Sequence, residues 1–73
     1  MDRVSTIGKF RAPLGGQDIE LQQVDLEAGG MSLMRIRIRE GRRFTVIDID
    51  PGTAGDWAEA MQRWAGEQGK APR

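Results

Sequence analysis

The chain is predicted to be an α+β domain: a four-stranded antiparallel β-meander followed by one C-terminal amphipathic helix packed on one face, in the order ββββα. Three observations predict it. Apolar residues alternate at period two in several stretches before residue 50, Gly- and Pro-containing turn signals separate those stretches, and beyond Pro51 the apolar period becomes helical.

The first strand is expected from Val4 to Ala12, with Val4, Thr6, Ile7, Phe10 and Ala12 as its extended pattern and Gly8 marking a bulge or bend. Pro13-Leu14-Gly15-Gly16-Gln17-Asp18 is the following turn cluster, because Pro ends ladder pairing and Gly supplies positive φ. The second strand, Ile19 to Glu27, slips phase: Ile19 and Leu21 share one face, Val24 and Leu26 the other. A bulge at Gln22-Gln23 would bring all four to one side. Ala28-Gly29-Gly30 is the next turn.

Ser32 to Arg39 is the clearest strand, with Met34, Ile36 and Ile38 on one face and Leu33, Arg35, Arg37 and Arg39 on the other. A three-residue loop, Glu40-Gly41-Arg42, would set Ile38 opposite Phe44 and Ile36 opposite Val46. The fourth strand, Arg43 to Ile49, then turns Phe44 and Val46 inward. It leaves Ile47 and Ile49 on the polar face with Leu33.

Asp50-Pro51-Gly52 stops that strand, and Thr53-Ala54-Gly55-Asp56 has capping-box spacing. The helix is expected from Ala54 to Ala65, with Trp57, Ala60, Met61, Trp64 and Ala65 as one stripe and Glu59, Gln62 and Arg63 facing water. The two tryptophans are expected to supply much of the core. Gly66 or Gly69 ends the helix, so residues 1–66 form the domain and residues 67–73 a flexible tail.

With 73 residues, no Cys and no His, the chain has neither a disulfide nor a Cys or His metal ligand to reinforce a small core. Good packing and self-association are the remaining reinforcements, and a homodimer is expected. Leu33, Ile47 and Ile49, aliphatic on an otherwise polar face, are its candidate contact residues. Absence of Cys fits a reducing cytoplasm, and nothing in the apolar pattern predicts a membrane span.

Catalysis is not expected, since His, Cys and Tyr are all absent and neither Ser5 nor Ser32 lies in a nucleophile motif. The spacing from Asp48 to Glu59 touches that of a calcium loop. However, Thr53 stands where the sharp-turn glycine belongs, and strand-end, capping and dipole roles account for Asp50, Thr53 and Asp56. Gly52-Thr53-Ala54-Gly55 lacks the lysine of a phosphate loop. No metal or cofactor is expected.

Formal charge is zero overall but strongly segregated: +2 over residues 1–16, −4 over 17–30, +4 over 31–47 and −2 over 48–73. Arg35, Arg37, Arg39, Arg42 and Arg43 are therefore the candidate polyanion-binding residues, able to meet phosphates bidentately. The competing expectation is mutual neutralisation: given the bulge at Gln22-Gln23, Glu20 falls opposite Arg37 and Asp25 and Glu27 lie along the same face, so the acidic segment neutralises the basic one. Single-stranded nucleic-acid sites usually add aromatic platforms, and this register puts Phe44 on the other face.

The ββββα order with Trp57 early in the helix resembles in outline the transcriptional-coactivator family that binds single-stranded DNA as a dimer. Gly8-Lys9-Phe10-Arg11 is similar to that family's first strand, while its basic segment before the helix is replaced by the acidic Asp48-Ile49-Asp50-Pro51. The expectation is a small non-enzymatic binding or assembly domain that self-associates. The alternative is single-stranded nucleic-acid binding through the arginine face.

Overall fold

The computed structural model describes residues 2–27 and 29–69. Ala28, expected in the second turn, and residues 70–73 of the expected tail lie outside the described residues. The element order is β1 (Arg3–Ala12), β2 (Gln17–Asp25), β3 (Ser32–Glu40), β4 (Arg43–Ile49) and α1 (Pro51–Gly69). The strands form one antiparallel sheet in the order β1-β2-β3-β4, the predicted meander followed by the predicted helix.

Register decides what each face presents, because side chains alternate and a one-residue slip exchanges the faces. In β1 the ladder shifts between Thr6 and Gly8, so the bulge falls at the glycine flagged in the sequence. No bulge interrupts β2. It runs regularly from Asp18 opposite Arg39 to Asp25 opposite Ser32. Val24 therefore stays on the face of Glu20 and Gln22, opposite Val4 on one side and Leu33 on the other.

The last hairpin also differs from expectation. Glu40 pairs with Arg43, leaving the two-residue loop Gly41-Arg42. Gly41 has φ +58° while Arg42 has negative φ, the pattern of a type II′ turn with glycine first. Met34 then meets Ile49, Ile36 meets Ile47, and Arg39 meets Phe44. Ile47 and Ile49 belong to the aliphatic face and Phe44 and Val46 to the arginine face, the reverse of the prediction. The three-residue loop would have put Asp48 opposite Met34. The observed register gives each of those residues a matching partner.

The helix starts earlier and ends later than the apolar stripe implied. Asp50 is the N-cap: its side chain accepts from the Thr53 amide at 3.1 Å and from the Thr53 hydroxyl, and its carbonyl accepts from Ala54 at 3.0 Å. Pro51 then occupies the first helical position, where its missing N–H and fixed φ are suited to helix entry. Thr53 thus lies inside the helix. Gly66 keeps negative φ, and Glu67 to Gly69 continue the helix where a flexible tail was expected.

The helix follows the sheet in sequence without covering it. Its first turn, at Pro51 and Ala54, borders a small hollow with Ile7, Gln23 and Met34, and among the strands it packs on β3. No residue of α1 is buried: Trp57 stays 39% exposed and Trp64 64%. The expectation that the tryptophans fill the core is therefore not met within one chain. The molecule is 50 Å long, whereas a ten-residue strand spans about 33 Å and a 19-residue helix about 28 Å. Its radius of gyration is 14.6 Å against about 11 Å for a compact chain of this length. Buried apolar residues are Val24 and Ile36, on adjacent central strands and opposite faces.

Candidate functional site

The polar face of the sheet is built by four strands. Lys9 and Arg11 come from β1, Asp18 and Glu20 from β2, Arg35, Arg37 and Arg39 from β3, and Phe44 and Asp48 from β4. Alternation at period two holds these side chains on one surface. Most of the charge is matched there. Asp18 bridges two strands, accepting from Arg11 at 2.8 Å and also from Arg39. Arg35 grips Asp48 bidentately, with Nε–Oδ1 at 2.8 Å and Nη2–Oδ2 at 3.0 Å.

Arg37 is held differently. Its contact with Glu20 is looser, at 3.6 Å. Glu20 instead accepts from the Thr6 hydroxyl at 2.7 Å and from Gln22 at 3.1 Å. The Arg37 guanidinium lies 5.2 Å from the centre of the Phe44 ring, within cation–π range. Arg37 and Phe44 thus form a stacked pair in the middle of a shallow groove of about 590 Å³. Four cations, Lys9, Arg11, Arg37 and Arg39, line the groove against two carboxylates, Asp18 and Glu20.

The carboxylates respond to these partners. The Arg39 guanidinium hydrogen-bonded to Asp18 holds that carboxyl below its ordinary value, as Arg35 does for Asp48. Glu20 is lowered chiefly by the Thr6 hydroxyl, and Asp25, on the other face, by the Ser32 hydroxyl. Arg35 is raised by its bond to Asp48. A carboxylate accepting such bonds favours its ionised form, the opposite of what a general acid at neutral pH requires.

The five candidate arginines do not form one patch. Arg35 and Arg39 are engaged by carboxylates, Arg37 stacks on Phe44, Arg42 sits in the turn, and Arg43 lies opposite Glu40 on the aliphatic face. Neither Arg42 nor Arg43 makes an ion pair among the described residues. The self-association candidates also separate. Ile47 and Ile49 join Met34 and Ile36 on the aliphatic face, while Leu33 lies beside Val24 on the polar one.

Two residues were missed by sequence reasoning. Phe44 entered the groove, and Asp48 became the partner of Arg35, both through the two-residue turn. The available signal was the pairing itself, since only that register matches Asp48 with an arginine and Ile49 with a methionine. Asp48 and Asp50 are occupied by Arg35 and by the helix start, and no cluster able to hold a metal ion occurs among the described residues.

Residues 1–67 match the model of a family described as a family of unknown function, DUF6967. The chain belongs to that family. No curated protein and no solved structure matches it significantly. No helix of the described residues is long and apolar enough to cross a membrane.

Proposed function

We propose that this DUF6967 chain is a non-enzymatic, cytoplasmic binding or assembly domain that works as a self-associated unit. One observation carries the reading: a helix with an apolar stripe of Trp57, Met61 and Trp64 leaves those side chains exposed, beside a sheet whose aliphatic face leaves Phe10 and Ile47 exposed. A folded monomer of 8.1 kDa exposes about 4,500 Å². This chain exposes 6017 Å². Large exposed apolar surfaces of this kind mark interaction sites. The absence of His, Cys and Tyr and the ion-paired state of the groove carboxylates support a role without catalysis.

Sedimentation equilibrium from about 5 to 500 µM tests the reading. The expected result is a dimer whose population follows mass action. A monomer at every concentration would end it.

A second reading, single-stranded nucleic-acid binding, gains one specific support: Phe44 stands on the arginine face, stacked with Arg37 in a groove with cations in excess. Base–aromatic stacking contributes about 1–3 kcal/mol per base. Phe44→Ala is then expected to weaken binding of a labelled oligonucleotide about 5- to 100-fold. Wild-type affinity would fall steeply between 50 and 200 mM salt. No binding at 50 mM salt would remove this reading and leave the first intact.

A further inference from the structure

We infer that two copies of the chain pair by reciprocal exchange, each helix laying its Trp57, Met61 and Trp64 stripe across the aliphatic sheet face of the other. This rests on the self-association proposed above and names the surfaces that meet. Each chain carries two apolar surfaces that it does not itself bring together: the helix stripe, and the aliphatic sheet face, where Phe10 and Ile47 are exposed around the buried Ile36. Helix against helix would cover the stripes and leave both sheets bare. Sheet against sheet would do the reverse. Helix on partner sheet covers all four surfaces at once.

The dimensions agree. Four strands spaced about 4.8 Å apart give a face about 14 Å across, and a helix with its side chains is about 10–12 Å wide. The helix is about 28 Å long and the nine-residue strands about 30 Å, so one helix spans one face. The area agrees too. The surface in excess of a compact monomer is roughly 1,500 Å² per chain, and two such surfaces removed together make about 3,000 Å², within the range of obligate homodimers. The occupant is therefore a second copy, whose own surfaces have the matching extent and apolar character. The ion-paired face, with its Phe44 groove, points away from this interface and stays open in the pair.

The chain has no Cys, so single cysteines introduced at exposed positions report contacts cleanly. Met61→Cys on the helix and Ile47→Cys on the sheet alter exposed side chains and leave the buried Val24 and Ile36 untouched. The two variants are mixed and treated with a short bismaleimide. The expected product is a covalent dimer containing one chain of each, in clear excess over either variant treated alone. Trp64→Ala is expected to raise the dimer dissociation constant roughly 30-fold or more, as truncation of a central interface tryptophan does.

Three results would overturn the inference. Cross-linking of Met61→Cys only to itself, in a chain that still sediments as a dimer, would replace exchange with helix–helix contact and leave self-association standing. Cross-linking within one chain of the double variant, at concentrations where it sediments as a monomer, would show the helix folding over its own sheet. A monomeric wild type at 500 µM would remove the underlying reading as well.

Discussion

Val24 should be the most sensitive residue of the sheet's polar face. It is 3% exposed and sits on β2 directly between Val4 and Leu33, an apolar row at one end of the polar face. Val24→Ala removes two methyl groups, about 0.8 kcal/mol each by transfer, and leaves a cavity that a sheet held by its ladder closes only in part. The expected loss is about 2–3 kcal/mol. A domain of this size has roughly 4–11 kcal/mol in total. The melting temperature should fall by roughly 10–20 °C. Val46→Ala is the control, the same chemistry on the same face but 52% exposed, with an expected cost below about 1 kcal/mol. Urea unfolding followed by far-UV circular dichroism, at one fixed protein concentration, measures both. Equal losses, or a Val24 loss below about 1 kcal/mol, would refute the claim that Val4 and Leu33 enclose this side chain.

Two further outcomes follow from the turn and from the ion pairs. Gly41→Ala should destabilise by about 1–2 kcal/mol in urea, because φ +58° is unfavourable for an L-residue. No atom lies within 4 Å of the added Cβ, so the effect is backbone strain, and D-Ala introduced by chemical synthesis should be tolerated. Equal destabilisation by both enantiomers would contradict it. Asp18, Glu20, Asp25 and Asp48 all have carboxyls held below their unfolded values. The stability they contribute is present above the unfolded range near pH 4 and is lost as pH falls through the depressed folded values. Thermal melts from pH 7 to pH 2 should stay level down to about pH 4 and then decline. A melting temperature unchanged from pH 4 to pH 2 would exclude these pairs as contributors.

Much of the fold is legible because it is encoded locally. Alternation over Ser32 to Arg39 specifies a strand wherever its neighbours lie. Pro13 with Gly15 and Gly16, and Gly29 with Gly30, punctuate the chain in the same way, and Gly8 marks the bulge in β1. Glu20 does oppose Arg37, although the Gln22-Gln23 bulge on which that expectation depended is absent.

The assignment of faces in β2 and β4 was not legible, because each depends on a count of one residue. Val24 reads as an apolar residue out of phase until Val4 and Leu33 supply it with apolar neighbours on the polar face. Glu40-Gly41-Arg42 admits loops of two or three residues, and Gly41 accepts positive φ in either. Only the ladder beyond, with Met34 on Ile49 and Arg35 on Asp48, selects the shorter loop and carries Phe44 into the groove.

The position of the helix is the largest difference, and its cause is of another kind. The stripe of Trp57, Met61 and Trp64 states that one side of α1 must leave water, because hydrophobic burial is non-directional. Sequence alone therefore determined four strands, their turns, a capped amphipathic helix and the need for an apolar partner. Only the tertiary structure decided that the chain's own sheet does not meet that need: Asp50 caps the helix at once, Pro51 starts it beside β3, and Trp57, Met61 and Trp64 remain exposed. A period in sequence specifies that a surface is to be buried, and the geometry of a two-residue turn and one helix cap decides against what.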